Sequence, residues 1–90
     1  MQLPSTATLD QAAALAETLP QAVASGSGVL RVDASALVSF DSSTIALLLQ
    51  AQRLAQAGGR GFEVVSAPAK LVELARLYGV DHLLCLAPTP

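Results

Sequence analysis

The sequence predicts an α/β domain, with its strands in a single sheet and its helices packed mainly on one face. Three observations lead there. The β-rich runs "VLRV" and "FEVV" alternate with longer stretches of helix formers. The predicted helices carry recognisable starts and stops in Asp, Pro and Gly. No repeat, low-complexity tract or linker divides the 90 residues, so residues 1–90 are expected to form one domain around one modest core.

The elements follow in order. "MQLPSTAT" reads as extended, because Pro4 disfavours helix at Leu3 and β-branched threonines follow. A helix is predicted within "LDQAAALAETLPQAVASGSG", with Asp10 as its N-cap, a kink or a break into two short helices at Pro20, and Ser25 to Gly28 as its stop. Val29 to Val32 form the first inner strand, ending near Asp33, and "SALVSF" is a short connection. From Ser42 to Ala57 the chain has every helix feature, with Asp41 as N-cap and "GGRG" as its stop. "GFEVVSA" is the second inner strand, Phe62 to Val65 being free of Pro and Gly. Pro68 opens a last helix, "PAKLVELARLYG", closed by Gly79. "VDHLLCL" is a short strand or turn, and "APTP" is expected to fray.

Composition narrows the function. A net charge of −2, with Arg31, Arg53, Arg60, Lys70 and Arg76 spread singly, leaves no basic face for nucleic acid or anionic lipid. The one cysteine, Cys85, permits no internal disulfide and fits a reducing compartment; the sequence starts with no signal-like segment, and no apolar run reaches bilayer length. A cytoplasmic protein without direct membrane insertion is therefore expected. At 52% apolar, a domain this small leaves hydrophobic surface exposed, which favours a subunit over a free-standing enzyme.

Catalytic and cofactor readings find little support. "GGRG" lacks the Lys-Ser/Thr ending of a phosphate loop and follows a helix, the wrong context. His82 and Cys85 stand alone, so no metal set forms; His82 reads as a surface or packing residue and Cys85 as a small buried apolar one. Tyr78 shares the apolar side of its helix with Leu71, Leu74 and Ala75 and is expected in the core. No enzyme activity, cofactor, metal or small-molecule substrate is expected.

Polar chemistry gathers instead at "SFDSSTIALLL". With Asp41 as cap, Ser42, Ser43 and Thr44 make the first helical turn, and one or two of them suffice to satisfy its free amides. At about 100° per residue, Thr44, Leu47, Leu48, Ala51, Leu54 and Ala55 form the core stripe, while Ser42, Ile45, Leu49, Arg53 and Gln56 face elsewhere. Phe40, Leu47, Leu48 and Leu54 are expected among the least exposed residues. Ser42, Ile45, Leu49 and Arg53 are the predicted partner-binding surface. A phosphate on Ser42 would suit the helix N-terminus yet bring negative charge into an apolar contact, which is the physics of a switch.

The stretch "LRVDASALVSFDSSTIALLLQAQRLAQAGGRGFEVVSAPAKLVELARLYGVDHLL" resembles a STAS domain, the fold of bacterial anti-sigma factor antagonists. The resemblance implies that Ser42, following the acid of the family's Asp-Ser-Ser-Gly turn, is the phosphorylation position. Thr44 departs from the pattern, standing where the family has glycine and so enlarging and stiffening the turn. Within the family, the "IALLLQAQRLAQA" helix, "LVELARLYGVDHLL" and the short length are most similar to the small STAS subunit of the Mla-type phospholipid ABC transporter. That likeness implies a non-catalytic subunit on the inner face of the inner membrane, binding the ABC ATPase subunit in support of outer-membrane lipid asymmetry. The alternative it implies is a phospho-switched anti-sigma factor antagonist that binds a serine kinase.

Overall fold

The computed structural model describes residues 1–84 and 86–88. Along the chain run β1 (Thr6–Ala7), α1 (Leu9–Ala24), β2 (Leu30–Asp33), β3 (Ser39–Phe40), α2 (Ser42–Ala57), β4 (Phe62–Ala67), α3 (Ala69–Leu77), α4 (Asp81–Leu84) and β5 (Leu86–Pro88). β4 lies between β2 and β5, and β1 pairs with β3; all of these pairs are parallel.

The register of β2 and β4 decides which face is covered. Leu30 stands opposite Phe62, Arg31 opposite Glu63 and Val32 opposite Val64. Side chains alternate along a strand, so Leu30, Val32 and Val64 point together to one face, where they are buried. Arg31 and Glu63 form an ion pair on the other. Val32 and Val64 share one core with Leu19 of α1, Leu48 and Ala51 of α2, Leu71 of α3 and Leu84 of α4, while Leu30 packs with Val23 and Ala55. All four of these helices therefore meet the same side of the sheet, as the sequence predicts.

The N-terminal extended segment divides its pairing between two neighbours. Leu3 N–H donates to the Asp33 carbonyl and Asp33 N–H to that of Met1, both at 2.8 Å. Beyond Pro4 the partner changes: Val38 and Ser39 both donate to the Ser5 carbonyl, at 2.7 and 2.9 Å. Pro4 has no N–H with which to continue the ladder, so the break falls there. In place of the single sheet predicted, the chain therefore forms a three-stranded sheet and a two-stranded ribbon, linked by the bridge between Gln2 and Asp33.

Several local expectations are corrected. Thr8, not Asp10, caps α1; its N–H and hydroxyl donate to Gln11 Oε1 at 3.1 and 2.7 Å, and Asp10 falls in the first turn. Pro20 does not divide α1, which continues to Ala24; Pro20 is exposed, so its ring lies outside the core while the flanking bonds hold the helix. Val29 is exposed, and β2 starts at Leu30. "SALVSF" contains β3, and "VDHLLCL" starts with the helical turn α4. Ala87 and Pro88 belong to β5, held against β4 rather than frayed. Cys85, Thr89 and Pro90 lie outside the described residues, and with them the expectation of a buried Cys85.

"GGRG" is a helix stop with a second use. Gly58 caps α2, and Gly59 takes the left-handed conformation, φ +74°, that turns the chain towards β4. Arg60 then reaches back to α1. Its Nη1 donates to the Val23 and Ala22 carbonyls at 2.8 and 3.3 Å, and its Nε to that of Gly28 at 3.1 Å. A cation on the last carbonyls of a helix also complements its dipole. Arg60→Ala is expected to cost about 1–2 kcal/mol, near the lower range for hydrogen bonds from a charged donor because the group is partly solvated. Urea denaturation measures this, and Arg60→Lys should recover only part of the loss, since an ammonium lacks the planar fork. A midpoint unchanged in Arg60→Ala would show that the contacts contribute nothing.

Candidate functional site

The start of α2 is built around one carboxylate. Asp41 accepts from Ser43 N–H through Oδ1 at 2.9 Å and from Leu9 N–H, the first residue of α1, through Oδ2 at 3.3 Å. One side chain thus serves the N-termini of two helices. Thr44 completes the turn: its Oγ1 accepts from Asp41 N–H at 3.3 Å, and its hydroxyl donates to the Ala7 carbonyl of β1. Thr44 is fully buried, and this tie to β1 is the structural use of a side chain where the family pattern has glycine.

Asp41→Ala removes both helix contacts, and the expected cost is about 1–2 kcal/mol, the upper range for loss of an N-cap. Asp41→Asn keeps one acceptor oxygen but sets an amide NH2 against the other N–H, so it should fall between the wild type and Asp41→Ala. Equal melting temperatures for the wild type and Asp41→Ala would refute this account of the turn.

With Asp41 and Thr44 doing the capping, the Ser42 and Ser43 hydroxyls are not needed for it. Ser42 is exposed at the first position of α2. It stands at the edge of an apolar groove of about 360 Å³, lined by Ser42, Ile45, Ala46, Leu49, Tyr78 and Val80. Three of the four residues predicted to bind a partner are therefore brought together here: Ser42, Ile45 and Leu49. Arg53 is exposed one turn beyond Leu49 and does not line the groove.

Two placements differ from expectation. Ile45, predicted to face outward, is only 3% exposed. The segment joining α3 to α4 lies across α2 at this point, so Ile45 forms the floor of the groove rather than an open surface. Tyr78, predicted in the core, is 52% exposed. It is the C-cap of α3, past the last full helical turn, so the apolar face of Leu71 and Ala75 does not extend to it. Sequence reasoning missed Tyr78 and Val80 as site residues. The available signal was Gly79, whose left-handed backbone (φ +71°) turns the chain between them.

The remaining candidates lie outside this groove. His82 is exposed, with Nδ1 3.6 Å from Asp81 Oδ2. The Asp33 carboxyl is held below the usual carboxylate range by hydrogen bonds from the Ser35 hydroxyl and amide. Among the described residues, no three of His, Cys, Asp and Glu come together as a metal site requires. No helix among them is long and apolar enough to cross a membrane. The groove has apolar walls and two hydroxyl-bearing residues, Ser42 and Tyr78, which suits the docking of another molecule's surface more than a reaction.

No curated protein matches the chain. A protein-family model described as "Mlab, STAS domain" matches residues 1–86, which include every element from β1 to α4. Domains of this family are generally non-catalytic and regulatory, related in role to anti-sigma factor antagonists. The coverage, the parallel sheet with its helices on one face and the Asp41-Ser42-Ser43 turn agree, and the chain belongs to the STAS domain family.

Proposed function

We propose that the protein is a non-catalytic regulatory and assembly subunit of an ABC-type phospholipid transporter that maintains outer-membrane lipid asymmetry. It binds the ATPase subunit at the cytoplasmic face of the inner membrane, through the groove edged by Ser42. The observation that carries this reading is the match over residues 1–86 to the model whose description names Mlab. The apolar groove supports it physically, since exposed hydrophobic surface on a small domain marks a contact with a partner. The reading needs no cofactor and no chemistry on the subunit itself.

The test is affinity capture of the tagged protein from its native cells, with the bound proteins identified by mass spectrometry. An ABC ATPase recovered in stoichiometric amount, and lost from a variant with the groove blocked, is the expected result. A second reading, a phospho-switched anti-sigma factor antagonist, is favoured by one observation: the Ser42 hydroxyl is exposed and the cap of α2 does not use it. Recovery of a serine kinase in place of the ATPase would establish that reading and overturn the first.

A further inference from the structure

The groove has a definite chemical asymmetry. Its walls come from two elements: Ile45, Ala46 and Leu49 of α2, and Tyr78 and Val80 at the α3–α4 junction. Leu77 at the end of α3 and Leu83 in α4 are exposed as well. Along α2 the apolar side gives way to Arg53, four residues past Leu49 and about 6 Å farther along the helix axis. Arg53 is exposed and takes part in no ion pair among the described residues; those pairs join Arg31 to Glu63 and His82 to Asp81. The carboxylate of Asp41 lies at the other end of α2, twelve residues away, and is committed to the amides of Ser43 and Leu9. The charge at this end of the groove is thus positive and unanswered from within the domain.

We infer that the groove receives an amphipathic acidic helix of the partner. The helix sets apolar side chains between Leu49 and Tyr78 and a carboxylate against Arg53. Helices dock in apolar grooves through anchors one turn apart, and here the next position along the groove is a cation. Tyr78 is the anchor on the domain's side: a large, half-exposed aromatic at the groove wall is the residue type that dominates such contacts. An acid on the partner helix gives orientation, because reversing the helix would place its carboxylate beside Ser42 and away from Arg53. This inference rests on the groove being the docking face; it does not depend on which protein carries the helix.

The experiment places the photo-crosslinking residue p-benzoylphenylalanine at position 78 in the full chain, expressed in its native cells. The same residue at position 31, on the open face of the sheet, is the control, and the crosslinked peptide is sequenced. The expected result is a peptide with apolar residues at helical spacing and Asp or Glu within two turns. Its yield should fall at least fivefold with Arg53→Glu and be kept with Arg53→Lys. Such a peptide from an ABC ATPase supports both the groove and the transporter reading. The same kind of peptide from another protein supports the groove and overturns the transporter reading. A peptide without an acid, a yield insensitive to Arg53→Glu, crosslinking at position 31 alone, or none at position 78 would overturn the groove assignment. Thermal melting of each variant excludes misfolding, which is not expected at exposed positions.

Discussion

Ser42→Glu is expected to weaken binding to the ATPase proposed as its partner about a hundredfold, a loss of ~3 kcal/mol, while the melting temperature stays at or above that of the wild type. Two effects oppose each other at this position. A carboxylate in the first turn of α2 stabilises the helix by about 0.3–1 kcal/mol through its dipole. Covering the same charge with an apolar partner, beside Leu49 and Val80, costs several kcal/mol when no cation answers it. Arg53 lies about 16 Å along the helix from Ser42, eleven residues at the helical rise, and is too distant to help. The desolvation cost therefore wins. Ser42→Ala should bind within a few-fold of the wild type, because its hydroxyl caps nothing. Titration calorimetry with the ATPase, beside thermal melting, checks both variants. Wild-type affinity in a folded Ser42→Glu protein would reduce Ser42 to the first residue of a helix.

The largest expected effect on stability is that of Leu48→Ala. Leu48 is 1% exposed and packs in the core with Val32, Val64 and Leu71. Truncating such a side chain costs about 2–5 kcal/mol in lost burial and residual cavity. A domain of this size has only about 5–13 kcal/mol in total. At roughly 4–8 °C per kcal/mol, the melting temperature should fall by at least ~8 °C. Leu49→Ala, at the neighbouring half-buried position in the groove, is expected to cost ~1 kcal/mol or less. Calorimetric melting of the pair tests the rotation of α2 directly. A larger drop for Leu49→Ala than for Leu48→Ala would mean that the helix is turned the other way.

What could be read from the sequence was what its own neighbours determine. The bounds of α2, Ser42 to Ala57, follow from Asp41 at one end and Gly58 at the other, and both act within a turn of themselves. The strand Phe62 to Ala67 and the helix after Pro68 are legible for the same reason. β3 was not, because two residues carry no periodicity and Ser39 is extended only through pairing with Thr6, far back in the chain. α4 is four residues long, below the reach of a helical pattern. Leu47 and Leu48 are buried as expected, whereas Phe40 and Leu54 are only half-buried. The candidate site was half legible. A helical wheel brought Ser42, Ile45 and Leu49 together, but it holds no information about the α3–α4 junction that turns their surface into a groove.

The reach of Arg60 back to α1 has a consequence for how the chain is made. A ribosome delivers α1 first, and its last carbonyls, those of Ala22 and Val23, wait 38 and 37 residues for their guanidinium donor. Leu9, at the other end, waits 32 residues for the Asp41 carboxylate. Most helical stability in proteins comes from tertiary contacts, and those that finish the two ends of α1 come from later in the chain. Asp41 answers the first amide of α1 and Arg60 its late carbonyls, so each end depends on a different later segment. The two ties lie far apart in the sequence yet act on one helix, so α1 is completed only by residues that come after it.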